Sequence, residues 1–217
     1  NISGNDIGPG GGAELAEALP TGTPALECLD LRGCFLSDAG LRWLAPALPS
    51  CENLVELHLG SNGVGDGAAA ALAEALPGMS RLRVLGLAMN SISGDGGWEL
   101  VEGIAACNSL VSLDLKGNGL GDDGVSAVAD VLAEVPTLEE VNLSGNDVGV
   151  EGALALVELF EVDLPTPRPW TNGLKVILEG NPDVSGDVRT KLETAVSGAG
   201  VEVKLSALKV TTSGFGR

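Results

Sequence analysis

Three residues of the chain could support nucleophilic chemistry: the thiol of Cys28, the carboxylate of Asp30, and His58, the single histidine. Their two segments resemble neighbouring strands, so a thiol, an acid and a base could lie within several ångströms of one another. A cysteine nucleophile also requires an oxyanion site and a pocket, which an open sheet does not supply. The sequence therefore favours an Asp–His contact on a binding surface, in a protein that is not an enzyme.

Other candidate chemical motifs are incomplete. The glycine-rich strings at 8–12 and 117–124 lack the G-x-x-x-x-G-K-[ST] order of a phosphate loop, and Asp122 and Asp123 lack the spacing of a calcium loop. The four cysteines contain no C-x-x-C pair, so we expect free thiols and an intracellular, cytoplasmic location. We predict no metal site and no cofactor.

A repeat with a period of 28 residues organises the chain, and a fixed period of this kind marks a repeat architecture. Each unit opens on the pattern L-x-x-L-x-L-x-x-N/C, as in LVELHLGSN, LRVLGLAMN and LVSLDLKGN. The first leucines of the five units are Leu26, Leu54, Leu82, Leu110 and Leu138. The half unit NISGND precedes them, and VILEGN follows after an insertion. Because the chain begins inside a repeat, we expect it to belong to a longer protein or a multi-subunit complex.

Within each unit the sequence predicts a strand, a turn and a helix. Pairs such as Leu57 and Leu59 alternate at the strand period, which predicts side chains that point into the core. An asparagine ends each strand, where a buried carboxamide must bond to the backbone of neighbouring turns. These asparagines are Asn5, Asn62, Asn90, Asn118, Asn146 and Asn181, and Cys34 takes the place of one of them.

The helical segments show their own start and stop signals. Apolar pairs such as Leu72 and Leu76 recur at helical spacing and predict one inward stripe. Three aspartates are predicted as N-caps of their own helices, and three prolines are predicted to end helices. They are Asp38, Asp66, Asp122, Pro20, Pro49 and Pro77. Trp43 and Trp98 fall in helical segments and are predicted to be packing residues.

These motifs resemble the ribonuclease-inhibitor class of leucine-rich repeats. The resemblance implies an α/β fold, namely a curved leucine-rich-repeat solenoid with a parallel sheet on the concave face and helices on the convex face. It covers a single domain over 1–205, about six to seven repeats, with a Pro-rich insertion at 162–173 and a C-terminal tail at 206–217. It also implies a non-catalytic scaffold for protein–protein interaction.

Two places are candidates for binding a partner. On the concave face, outward side chains should form rows across the repeats, because neighbouring strands align. The candidates there are Asp30, Arg32, Glu56, His58, Asp114, Lys116, Glu140 and Asn142. In the insertion, Arg168 and Trp170 are typical interface anchors, although the insertion could equally cover the end of the core.

The charge of the chain limits its partners. Thirty acidic and twelve basic residues give a formal net charge of −18, which excludes nucleic acid and favours a protein partner with basic character. No apolar run is long enough to predict a membrane span. Two alternative functions stay open: a structural accessory subunit of a large assembly, and a regulator of a GTPase.

Overall fold

The computed structural model describes residues 1–22, 25–161, 173–181, 184, 186–197 and 200–205. In this part of the chain, seven strands form one parallel sheet, and their order across the sheet is their order along the chain. The strands are β1 (Cys28–Asp30), β2 (Glu56–His58), β3 (Val84–Gly86), β4 (Ser112–Asp114), β5 (Glu140–Asn142), β6 (Leu174–Ile177) and β7 (Val201–Lys204). The predicted repeat architecture is therefore confirmed.

Helices connect successive strands and cover one face of the sheet. They are α1 (Gly8–Gly22), α2 (Ser37–Leu44), α3 (Asp66–Ala75), α4 (Gly94–Ala105), α5 (Gly121–Leu132), α6 (Val150–Glu161) and α7 (Gly186–Ala195). Each described helix packs against the next one along the chain. Because helices need about 10 Å between axes and strands about 4.8 Å, the solenoid curves with the sheet on its inner side.

The core lies between the sheet and the helices. The alternating leucines of the strands, such as Leu57 and Leu59, are fully buried, as predicted. The helical stripe faces them, with Leu72 and Leu76 also fully buried. At the first edge, the backbone N–H groups of Ile2 and Gly4 donate to the carbonyls of Asp30 and Arg32, so the half unit continues the sheet pairing.

The asparagines at the strand ends form a ladder that joins consecutive repeats. Oδ1 of Asn62 accepts the N–H of Cys34 at 3.0 Å, and its Nδ2 donates to the carbonyls of Leu31 and Leu59, both at 2.9 Å. Asn118, Asn146 and Asn181 bond in the same way and are buried, which confirms the prediction for them. Asn90 makes the same bonds but is only partly buried.

The first two positions of this ladder differ from the others. Cys34 is fully buried, and its Sγ lies 3.2 Å from the carbonyl of Ile2, so a thiol does occupy an asparagine position. The prediction of a buried carboxamide is wrong for Asn5, which is exposed and bonds locally to the carbonyls of Ile2 and Ser3. No described repeat stacks over Asn5 to bury it.

The prediction that each aspartate caps its own helix is wrong. Asp38, Asp66 and Asp122 lie inside the first turns of their own helices and accept no hydrogen bond at those N-termini. Instead Oδ1 of Asp38 accepts the N–H of Gly65 and of Ala68, at 3.1 and 2.8 Å. These aspartates therefore cap the helix of the following repeat, because stacking brings the two N-termini side by side.

The proline prediction also needs correction. Pro20 lies inside α1, and Pro49 and Pro77 lie inside the short 3-10 helices Ala45–Ser50 and Leu76–Gly78 that continue α2 and α3. α3 does end at Ala75, two residues before Pro77, and a proline near the start of the 3-10 segment that follows loses no essential donor.

Candidate functional site

One side of the sheet faces the helices, and the other side points away from them, towards the inside of the curve. We call this second side the outer sheet face. Strand pairing places its side chains in straight rows, as the repeat predicted. One row is Asp30, His58, Gly86, Asp114, Asn142 and Ile177, and the next is Cys28, Glu56, Val84, Ser112, Glu140 and Lys175. The leucines between the rows are nearly constant, whereas the row residues differ in charge, size and polarity.

Asp30 is part of this face but its side chain is only 4% exposed. Its carboxylate accepts Nε and Nη2 of Arg32 at 2.9 and 2.7 Å, and the amide of Asn1 at 2.8 Å. The side-chain bond to Arg32 lowers the pKa of Asp30 from 3.8 to about 2. The Arg32 side chain itself stays 59% exposed, so Asp30 holds an exposed guanidinium in place.

Beside this pair, Cys28, Glu56 and His58 form a cluster. Nε2 of His58 lies 3.3 Å from Oε2 of Glu56, and one ligand atom of each of the three residues lies within 4.8 Å of the others. Burial, followed by the charge of Glu56, raises the pKa of the Cys28 thiol. A nucleophile requires a lowered pKa, so this environment does not activate the thiol.

The remaining predicted residues lie further along the outer sheet face. Glu140 accepts a short hydrogen bond from Nζ of Lys175, and this bond raises the pKa of the lysine. Oδ1 of Asp114 accepts the backbone N–H of Lys116, and Lys116 is an exposed residue. Asn142 accepts the N–H and hydroxyl of Ser144. Acidic and basic side chains therefore both occur on the outer sheet face.

The strands β4 to β7 open onto a cleft of about 700 Å³ at their N-terminal ends. Glu139, Glu140, Lys175 and Glu202 give it a polar lining with an acidic excess. The cleft adjoins Gly173, where the chain returns from the insertion. Arg168 and Trp170 lie outside the residues that the structure describes.

Sequence reasoning missed several exposed apolar side chains. Trp43 and Trp98 were predicted to pack, but they are 67% and 47% exposed on α2 and α4, so that prediction is wrong. Phe35 and Met89 are 66% and 58% exposed in the turns after β1 and β3, each with positive φ. The available signal was comparison between repeats, because Gly33, Ser61, Gly117 and Gly145 stand where Met89 does.

Among the described helices, none is long and apolar enough to cross a bilayer. All four cysteines are free, as predicted, with Cys28 exposed and the other three buried.

Comparison with known proteins agrees with this geometry. A family model described as a leucine-rich repeat matches residues 1–16, 50–73, 106–129 and 136–157. A ribonuclease inhibitor from Sus scrofa is 41% identical over 69 residues, which is 32% of this chain and 15% of that relative. The matched part therefore spans a small fraction of the relative's length.

Among solved structures, actin-binding site 2 of leiomodin-1 has a similar fold, with a TM-score of 0.57. It is 18% identical, and the alignment covers 67% of this chain and 85% of that one. The seven-stranded parallel sheet, the asparagine ladder and the matched segments lead to the same assignment. The chain therefore has the fold of a leucine-rich-repeat solenoid and is similar to ribonuclease-inhibitor-like leucine-rich-repeat proteins.

Proposed function

We propose that the chain is a non-catalytic protein-interaction scaffold that binds its partner with the outer sheet face. The main support is a contrast within the same strands. Their core leucines are nearly constant, whereas the residues of the aligned rows on the outer sheet face vary. A sheet of seven strands spans on the order of 30 Å, which suits a protein surface better than a small molecule. The names of the two similar proteins also refer to protein targets, ribonuclease and actin.

Arg32, His58, Lys116 and Glu140 are the side chains that we assign to direct contact. Arg32 is held in one orientation by Asp30, which reduces the entropy that is lost when a partner binds. Glu56, Asp114 and Asn142 complete the polar contacts, and no described residue of this face lines an enclosed catalytic pocket. Arg168 and Trp170 of the insertion are a proposed second contact, because Arg and Trp are typical interface anchors.

The partner has basic character in this proposal. The formal charge of −18 attracts a basic protein over a distance of about one Debye length, roughly 10 Å at moderate salt. The acidic excess lies mainly on the helical side, where α4, α5 and α6 carry three acidic residues each. This charge therefore speeds encounter, whereas the mixed outer sheet face determines which partner stays bound. The free thiols support an intracellular location.

The test compares charge reversals on the two sides of the solenoid. A partner is first isolated from native extract by crosslinking, and its affinity is then measured for purified variants. We expect Glu140→Lys to weaken binding at least about tenfold, since an attractive contact of the outer sheet face with the basic partner becomes repulsive. Glu102→Lys in α4 is the matched control on the helical side and should change affinity less than about twofold. Equal losses in both variants, or a loss in the control alone, would reject the outer sheet face.

A further inference from the structure

The cluster of Cys28, Glu56 and His58 has a chemistry that protein recognition does not require. Cys28 and Glu56 are directly paired across β1 and β2, and His58 lies on the same face two residues after Glu56. Their sulfur, oxygen and nitrogen atoms lie within 4.8 Å of one another. These are three of the ligand types that bind Zn²⁺ in proteins.

We propose that Cys28, Glu56 and His58 form a Zn²⁺ site with a fourth position open to water. This inference goes beyond the proposed scaffold function. In a tetrahedral zinc site the ligand atoms lie roughly 3.3 to 3.8 Å apart, so the observed atoms need to move by about 1 Å at most. Oε2 of Glu56 and Nε2 of His58 are already 3.3 Å apart.

The surroundings of the cluster favour a cation. The Asp30 carboxylate lies close enough to raise the pKa of Cys28 together with Glu56. Asp30 does not compete as a ligand, because Arg32 and Asn1 occupy its oxygens. A bound Zn²⁺ offsets this local negative charge and stabilises the thiolate.

The site is accessible from solvent. Cys28 is an exposed residue, and the side chains of Glu56 and His58 are 46% and 23% exposed. Small rotations of these side chains can therefore close the coordination sphere without moving the two strands. The backbone of β1 and β2 fixes the spacing of the ligands in advance, which limits the entropy that metal binding costs.

The equivalent register positions on the other described strands lack this combination of a thiol, a carboxylate and an imidazole. The corresponding pairs of residues are Val84 with Gly86, Ser112 with Asp114, Glu140 with Asn142, and Lys175 with Ile177. None of them supplies a thiol or an imidazole. The cluster is thus a local departure from the repeat.

Zinc ligation is a proton exchange without electron transfer. The Cys28 thiol releases its proton to the buffer, and the sulfur forms a bond to the metal that displaces one of its water ligands. His58 binds through a neutral ring nitrogen and Glu56 through a carboxylate oxygen. Because a thiol must be deprotonated, binding weakens as the pH falls.

The test uses the whole chain without a histidine tag and Zn²⁺ alone as the probe. We expect one equivalent of Zn²⁺ to slow the alkylation of Cys28 by iodoacetamide at least about tenfold. Titration calorimetry should show that Cys28→Ser and His58→Ala each raise the Kd for Zn²⁺ at least about tenfold. Co²⁺ bound in place of Zn²⁺ should show a thiolate-to-metal charge-transfer band that Cys28→Ser removes.

Glu140→Gln is the matched control, because Glu140 occupies the register position of Glu56 three repeats further on. It should leave the Kd for Zn²⁺ within about twofold, whereas Glu56→Gln should raise it. Circular dichroism of each variant checks that the fold is retained. Undiminished alkylation of Cys28 at saturating Zn²⁺, or one common Kd for all variants, would overturn the proposal and indicate diffuse binding to the acidic surface.

Discussion

Each buried asparagine of the ladder makes three kinds of hydrogen bond that other side chains cannot combine. Its carbonyl oxygen accepts an N–H of the preceding repeat, and its amide donates to carbonyls of both repeats. Asn146, which is fully buried, accepts the N–H of Asn118 at 3.2 Å and donates to the carbonyl of Leu115 at 2.9 Å. A buried polar group without a partner costs about 1–3 kcal/mol, so the ladder penalises any gap between repeats.

Asn146→Ala should therefore lower the free energy of unfolding by about 1–3 kcal/mol, because it leaves the backbone N–H of Asn118 unpaired in the core and removes one of the two donors to the Leu115 carbonyl. Urea unfolding followed by circular dichroism measures this loss. Asn5→Ala is the control at the exposed end of the ladder and should cost less than about 1 kcal/mol. Similar losses for both variants would show that the ladder does not depend on burial.

The Asp30–Arg32 pair gives the folded state a pH dependence. The pKa of Asp30 is about 2 in the folded protein and 3.8 as a free side chain, so the folded state binds this proton less tightly. The stabilisation is therefore complete above about pH 4 and is lost as the pH falls towards 2. After a discount for the exposed Arg32, it amounts to about 1–2 kcal/mol.

Asp30→Asn should lose that amount at pH 7, and its difference from the parent chain should shrink between pH 4 and pH 2. Urea unfolding at several pH values provides the measurement. Asp114→Asn is the control, because Asp114 stands at the same register position and accepts only a backbone N–H. A constant difference for Asp30→Asn at every pH would contradict the assigned pKa.

At the scale of elements, a residue of one helix caps the N-terminus of the next helix along the chain. Oδ1 of Asp122, in the first turn of α5, accepts the N–H groups of Gly149 and Gly152 at 2.7 and 2.9 Å. These donors belong to the N-terminus of α6, where a helix leaves N–H groups without intrahelical partners. One carboxylate therefore couples the start of a helix to the position of its neighbour.

Asp122→Ala should cost about 1–2 kcal/mol and should loosen α6 more than α5. Native-state hydrogen exchange resolves the two helices and locates the effect. Asp123→Ala is the matched control, since Asp123 is the next residue, is exposed, and lies on the same helical turn. Faster exchange confined to α5 would mean that Asp122 caps its own helix.

For the whole molecule, the sequence predicted the architecture and the sheet register. The constant period of 28 residues predicts both the architecture and the register, because equal repeats stack only with equivalent residues opposite one another. The row that contains Asp30, His58 and Asp114 was therefore predictable from the spacing of these residues. The two-residue period of the strands then decided which side chains leave the core.

Contacts between repeats were harder to predict. Asp38 was assigned to its own helix because capping rules describe one helix at a time, whereas its donors lie in the next repeat. Asp30 was predicted as a contact residue, and its side chain is buried and paired with Arg32, two residues away. Glu56 was placed on the binding face without its relation to Cys28 and His58, because that cluster exists only when β1 and β2 pair.

The central claim is that the outer sheet face, and not the helical side, binds the partner. A photo-crosslinking amino acid placed at Ser112 in β4 or at Ser126 in α5 tests it within one repeat, at two partly exposed serines. Each variant is irradiated with the purified partner at equal concentration, and the crosslinked fraction is measured. The account predicts efficient crosslinking from Ser112 and background levels from Ser126. Efficient crosslinking from Ser126 with none from Ser112 would contradict it.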